Sequence, residues 1–395
     1  MSISRFSTNG VNHHKYRICY FGAYEKNYSR NLVLIEGLKT LGVDIIECHN
    51  SALTPHKNRN AFEYNLLPLI LKAFKLLLIY PRLIIRALYM DYDLLLVGYM
   101  GHIDMFPAKL ISWLKNVPII FNPLISLHDT LITDRKKISC NSIISKIIWY
   151  VDRFSCDLSN AVILDTQNNI DFFKQEFNLQ HKAFYTLPVG AQNIFSPEVS
   201  GNRVTSPSGK TKVLFVGSFV PLQGIEYICE AIEMLKKETE IEFCVIGRGQ
   251  NSEEIFERYN MRRNGQVTLI DWVDYHDLPS YFQKSDICLG VFGINPKTLR
   301  IIPNKVFFAI ACQKAVITAD VPALKGIIEH GKNAILCPPG NSFSLAESIL
   351  RLHNNPKLRL KIAIEGHKLF KEQFTSELLA SELLLIFHKC TENLH

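Results

Sequence analysis

Residues 290–339 read GVFGINPKTLRIIPNKVFFAIACQKAVITADVPALKGIIEHGKNAILCPP. The apolar run Ile287 to Phe292 predicts a strand, followed by a polar, basic loop and a helix from about Pro303 to Cys312. A strand from Ala315 to Thr318, a turn, a further helix and a strand from Ala334 to Cys337 complete the stretch. The loop leaves the carboxyl end of a strand, which is where ligands bind in open parallel α/β sheets. Lys297, Arg300, Asn304 and Lys305 crowd into this loop and the first turn of its helix. A helix N-terminus already presents unpaired N–H groups and the positive end of the dipole, so cations there point to an anion, with phosphate the best fit. The alternative is a solvated basic loop.

Working outward, the same alternation of strands and helices extends over the whole chain. Strand patterns at Val213–Gly217, Glu242–Gly247 and Val267–Ile270 precede the quoted stretch. An earlier series holds Ile18–Gly22, Val43–Cys48, Leu94–Gly98, Pro118–Phe121 and Ala161–Leu164, with a helix from about Ser29 to Leu41. Such alternation predicts α/β architecture, two Rossmann-like domains with parallel sheets covered by helices. Residues 200–210, SGNRVTSPSGK, have linker composition. The expected domains are therefore 1–197 and 198–395, facing each other across a cleft in which two substrates can meet. The last helix, about Ser376 to Lys389, is placed to pack back on the first domain.

A chain of 395 residues with 47% hydrophobic and 21% charged residues has the composition of a folded protein with two cores, which argues against disorder. The net charge of +7 suits phosphorylated ligands or acidic lipid and does not by itself indicate nucleic acid, so no nucleic-acid partner is expected. Ten cysteines without paired spacing or a Cys/His ligand pattern fit a reducing cytosol and no structural metal. Neither a secretion signal nor a run long enough to span a bilayer stands out.

Residues 66–90 are a separate case. On a helical wheel Lys72, Lys75, Arg82 and Arg86 fall within an arc of about 80°, with Leu66, Leu69, Ala73, Leu77, Ile84 and Leu88 opposite. That pattern suits peripheral contact with an acidic membrane at the inner face, and equally suits a helix packed on a sheet with its cations in water. Pro81 would break or kink a single helix there.

Candidate chemistry in the second domain begins at the strand–loop–helix VLFVGSFVPLQGIEYICEA, where Gly217 and Gly224 let backbone approach a phosphate. In the first domain FNPLISLHDTLITDRKK (residues 121–137) follows a strand end and sets Ser126, His128, Asp129, Asp134 and Arg135 close together. A histidine beside carboxylates can take an acceptor proton or stabilise a leaving phosphate, which makes His128 and Asp129 catalytic candidates. The alternative is a network of loop-capping bonds. His102, after another strand, is a further acceptor-side candidate. No Asp-rich metal motif stands out, and no metal or other cofactor is expected.

The quoted stretch and the PLQG loop resemble the donor-binding domain of GT-B glycosyltransferases, specifically the retaining family 4, and the resemblance extends over nearly the whole chain. It implies a nucleotide-sugar donor held between the domains. It also implies that the first strand–helix turn, with Gly22 and Arg30, lies over the donor sugar and phosphate. Gly247-Arg248-Gly249 resembles the family's glycine turn near the nucleotide, with Arg248 on diphosphate or in solvent. Many members carry an Arg just after the first glycine of the donor loop and a Lys just before the second. Here those positions are Ser218 and Gln223, so the cationic role falls to Lys297, Arg300 and Lys305. The family's two glutamates, one on the sugar and one on the ribose, align with Arg300 and Phe308. Gln313 stands where glycine is common, and Gly326 where an acid is common.

The resemblance implies transfer of a sugar from a nucleotide diphosphate sugar to a lipid-linked or glycan acceptor at the cytoplasmic membrane face. The reading from another class is a degenerate GT-B subunit that binds a glycan or a partner transferase. A third is a sugar-phosphate synthase or phosphorylase on the same fold.

Overall fold

The computed structural model describes residues 16–50, 79–198, 209–249 and 252–392. The chain divides into two compact units, 1–188 with 376–395, and 189–375.

In the first unit six parallel strands, β1 (Arg17–Gly22), β2 (Asp44–His49), β3 (Leu94–Val97), β4 (Ile119–Phe121), β5 (Ala161–Leu164) and β6 (Phe184–Thr186), lie in the order β2-β1-β3-β4-β5-β6. Alternate side chains of β1 feed two cores. Ile18 and Tyr20 pack with Val33 and Leu34 of α1 (Ser29–Thr40). Cys19 and Phe21 pack on the opposite face with Met105 and Ile111 of α2 (Met105–Lys115), Cys156 of α3 (Ile143–Leu158) and Phe173 of α4 (Gln167–Glu176). Both faces are covered, so the strands read as continuous apolar runs.

The second unit holds β7 (Thr211–Val216), β8 (Ile241–Ile246), β9 (Val267–Ile270), β10 (Ile287–Leu289), β11 (Ala315–Ala319) and β12 (Ile335–Cys337), all parallel, in the order β12-β11-β10-β7-β8-β9. Its helices are α5 (Ile225–Met234), α6 (Ser252–Arg258), α7 (Leu278–Lys284), α8 (Asn304–Ala311), α9 (Ser342–Asn354) and α10 (Pro356–Gln373). The final helix, α11 (Ser376–Glu392), belongs to the first unit, where Leu379, Leu383 and Phe387 join the α1 core. Each sheet reverses strand order once, between β1 and β3 and between β7 and β10. In this architecture the loops leaving those strands flank the ligand crevice.

Three sequence expectations change. The boundary lies between Pro188 and Val189 rather than after Pro197. Ala191 bridges Thr375 and the Phe195 ring stacks on Phe308, which commits this segment to the second unit. The expected linker falls mostly outside the described residues. The helix expected between β11 and β12 is only a short 3-10 turn, Pro322–Leu324. Within 66–90, only residues 79–90 are described. There residues 79–89 are helical, Leu83 and Ala87 join the core, and Arg82 and Arg86 are exposed. Pro81 lies among these helical residues.

All ten cysteines are free thiols. Among the described residues no cluster of three or more His, Cys, Asp or Glu side chains is arranged to hold a metal, and no helix is long and apolar enough to cross a membrane.

Candidate functional site

In the second unit the chain leaves β7 at Gly217, makes a 3-10 turn at Pro221–Gln223 and enters α5 through Gly224. Gly224 is left-handed (φ 62°), and a Cβ there would fall 2.5 Å from the Gly293 amide, so only glycine fits. A Cβ at Gly217 would meet the Gln223 side chain at 2.1 Å. Gln223, where the family carries a ligand-binding lysine, turns inward, and its Oε1 accepts from Phe219 N at 3.1 Å. It holds the loop closed and offers no charge. Ser218 is half-buried on the same turn.

The loop leaving β10 is joined to this turn. Phe292 N donates to Gln223 O (3.1 Å), and Thr298 Oγ1 donates to Leu222 O (3.1 Å). Both loops at the switch point therefore form one body that positions the cations. Lys297 is buried, Arg300 and Asn304 are half-buried, and Arg300 ends a 3-10 turn, Thr298–Arg300, packed against the Pro322–Leu324 turn. A shallow, open depression lies on the far side of that turn, lined by Asp320, Val321, Pro322, Leu324, Lys325 and Gly326, and none of the four residues Lys297, Arg300, Asn304 and Lys305 lines it.

Lys305 is the most unusual side chain of this region. It stands in the first turn of α8, only 8% exposed, and its Nζ has no hydrogen-bond acceptor among the described residues. The ammonium lies 3.8 Å from the centroid of the Phe215 ring. A cation–π contact gives about 0.5–2 kcal/mol, less than the cost of burying an ammonium without an acceptor. Burial accordingly pulls the Lys305 pKa well below its ordinary value.

Phe308, which the resemblance aligns with the family's ribose contact, is a core residue. It is 6% exposed and stacks on Phe195 with centroids 4.1 Å apart and planes 5° apart. Tyr275 and Phe282 close on its edges at 6.0 and 5.9 Å. Nothing in the sequence around Phe195 marks it as this partner. Arg248 is exposed on the turn after β8, with Asp271 3.7 Å away.

In the first unit the 126–135 cluster is more interior than its sequence suggests. Ser126, Asp129 and Asp134 are buried, while His128 and Arg135 are half-buried. The organiser is Asp152 of α3, fully buried, which sequence reading did not single out. Its carboxylate accepts from Ser126 Oγ (2.7 Å), Leu127 N (3.0 Å) and His128 N (2.8 Å), and His102 Nε2 stands 3.1 Å from it. His128 Nε2 contacts Ser145 Oγ at 3.0 Å, and Asp129 with Asp134 lies on one π-helical turn. These are capping contacts of the kind the alternative reading describes, and His102 is buried inside them (1% exposed). An acid set among large apolar side chains in IIWYVDRF (residues 147–154) was the available signal.

Arg30 is likewise fully buried. It donates to Asn122 Oδ1 (2.9 Å) and to the carbonyls of Leu187 and Pro188 (2.6 and 2.5 Å), so it fastens the end of the first unit. Burial lowers its pKa to about 10. At the β1–β3 switch Gly22 ends the strand, and the following amide, Ala23 N, donates to Asp104 Oδ2 at 3.0 Å. Asp104, just before α2, and Asp165, directly after β5, have pKa values raised by burial to about 6. These two carboxyls were also missed; for Asp165, position after a strand was the signal.

Residues 210–355 match the family model described as Glycosyl transferases group 1. Among curated relatives, an uncharacterized glycosyltransferase of Methanocaldococcus jannaschii is 30% identical over 165 residues, 42% of this chain. The alignment spans only 44% of that relative's length. The alpha-D-kanosaminyltransferase of Streptomyces kanamyceticus is 21% identical over 296 residues, 72% of this chain and 74% of the relative. In fold the chain is similar to the sucrose-phosphate synthase of Thermosynechococcus elongatus (TM-score 0.69, 15% identity, 96% of this chain and 100% of that one). It is also similar to the Anabaena HepE protein in complex with UDP-glucose (TM-score 0.64, 14% identity, 95% and 100%). The chain therefore has the GT-B fold, and residues 210–355 of its second unit are similar to group 1 glycosyl transferases.

Proposed function

We propose that this protein transfers a sugar, with retention at the anomeric carbon, from a nucleotide diphosphate sugar to a lipid-linked or glycan acceptor in cell-surface glycoconjugate synthesis at the cytoplasmic membrane face. The observation that carries the donor half is Lys305: a buried ammonium lacking an acceptor, in the first turn of a helix, at the switch point of a parallel sheet. A diphosphate supplies the missing acceptor and gains the α8 dipole. UDP-glucose in a protein of the same fold, and the kanosaminyl transfer in the name of a relative, support the donor class. Lys297 and Arg300 complete the cationic set. In this reading His128 and Asp129 form the acceptor-side pair, with Asp152 setting their backbone. Cations and helix N-termini offset the leaving charge without a divalent ion, so excess chelator is expected to leave turnover unchanged in an assay of sugar release from the donor. Loss of turnover that returns with added Mg²⁺ would refute that part.

Calorimetric titration with UDP, GDP and their sugars tests the donor site. Arg300→Ala is expected to weaken binding by about 1.5–3 kcal/mol, the scale of one charge-assisted hydrogen bond. Lys305→Met is expected to abolish detectable binding while raising the unliganded protein's stability by about 1–2 kcal/mol, since it removes an uncompensated buried charge. With the folded pKa of Lys305 depressed, the unfolded chain holds more protons between that value and the ordinary one. Wild-type stability therefore rises with pH across that window, and the Met variant lacks this rise. Nucleotide affinity falls as pH climbs through the same range, because binding needs the charged form. Wild-type affinity in Lys305→Met would move the phosphate site elsewhere.

The degenerate-subunit reading draws on the Phe195–Phe308 stack and the inward Gln223, which remove two donor contacts of the family pattern. It predicts that no nucleotide or nucleotide sugar shifts the melting temperature of the wild type.

A further inference from the structure

Helix α3 is built inside out. Its buried positions include Ser145, Asp152 and Ser155, whereas Ile143, Ile147, Tyr150 and Phe154 are 77%, 55%, 51% and 47% exposed. Spacings of four, three and four residues put those side chains on one face. A helix on a sheet ordinarily turns that face to the core. The adjoining α2 does the same on a smaller scale: Phe106 and Leu110 are each 45% exposed and Trp113 is 75% exposed. The exposed charge beside these stripes is mainly positive. Lys109, Lys136 and Lys146 are exposed, Asp104 and Asp152 are 3% and 0% exposed, Asp157 of α3 is half-buried beside His181, and the exposed Asp91 is paired with Arg17. The helical residues 79–89 lie alongside, tied by Lys115 Nζ to the carbonyls of Leu88 (3.2 Å) and Met90 (2.6 Å), and add exposed Arg82 and Arg86.

We propose that this outer helical face of the first unit docks on an anionic lipid bilayer. Trp, Tyr and Ile side chains enter the headgroup boundary, and the lysines meet lipid phosphates. Apolar stripes with aromatic rings and a cationic surround match the chemistry of the membrane interface. A second copy is a poorer occupant, because a two-fold contact sets the patch against itself and opposes lysine to lysine, while the exposed Asp91 at its edge is already paired with Arg17. The proposal rests on exposure and charge, independently of sugar transfer.

Cosedimentation of the full chain with phosphatidylcholine vesicles, with and without phosphatidylglycerol, is the test. The wild type is expected to pellet with the phosphatidylglycerol vesicles and to be released by high salt. Lys109→Gln with Lys146→Gln should weaken partitioning about fivefold per lysine. Trp113→Glu with Ile147→Glu should abolish it. UDP binding and melting temperature should match wild type in both variants, since the altered side chains are exposed; if the glutamate pair misfolds, the lysine pair alone decides the outcome. Wild-type protein that stays in the supernatant overturns the proposal, as does vesicle binding unchanged in the variants. So does a wild-type dimer that the glutamate pair converts to monomer with no lipid binding by either.

Discussion

Replacing Phe308 with glutamate is expected to lower the melting temperature of the second unit by roughly 10 °C without improving nucleotide binding. The ring is 6% exposed and sandwiched by protein: Phe195 lies on its face, Tyr275 and Phe282 at its edges. A carboxylate in that cage loses the aromatic packing and buries a charge with no donor in reach, at a cost on the order of 4 kcal/mol. Lys305 lies one turn earlier on α8, but its ammonium is committed to the Phe215 ring and does not face the cage. A charge pair between positions 305 and 308 would need both side chains to repack. Thermal melts of wild type and Phe308→Glu, with UDP titrations at a temperature where both are folded, measure the two quantities. Unchanged stability with tighter UDP binding would show that the Phe195 stack opens on the donor and that position 308 reaches the ribose after all.

Asp152→Ala should cost the first unit roughly 3–5 kcal/mol. Two backbone N–H groups, Leu127 and His128, and the Ser126 hydroxyl all lose their acceptor in a buried site, and each orphaned donor costs about 1–3 kcal/mol. Asp152→Asn keeps an acceptor oxygen but loses the charge, so its loss should be smaller. Chemical denaturation of the three proteins measures this. If sugar transfer uses His128, activity falls with Asp152→Ala even where the variant remains folded, because the 126–128 turn no longer holds the ring. Equal stability of wild type and Asp152→Ala would remove Asp152 from the organising role.

The parallel sheets and the loop that carries Lys297, Arg300 and Lys305 were legible in the sequence. Apolar runs such as Ala161–Leu164 have one physical reading when both faces of a strand are covered, and cations at a helix start oppose its dipole wherever the helix packs. The PLQG and PNK loops likewise carried the resemblance to the donor-binding domain, since a glycine forced by backbone contact, as at Gly224, leaves its mark on the chain itself. The partners of the long-range contacts left no such mark. Phe308 stacks on Phe195, 113 positions earlier; Asp152 gathers a turn two dozen residues before it; and Arg30 reaches carbonyls at Leu187 and Pro188. Burial in each case is decided by what packs against the side chain, a property of the folded chain and not of the local pattern. The α3 helix makes the same point in reverse: its amphipathic period was readable from sequence, but only the tertiary structure decided that its polar side faces the protein and its apolar side the solvent, because Asp152 satisfies a loop that no local pattern could place beside it.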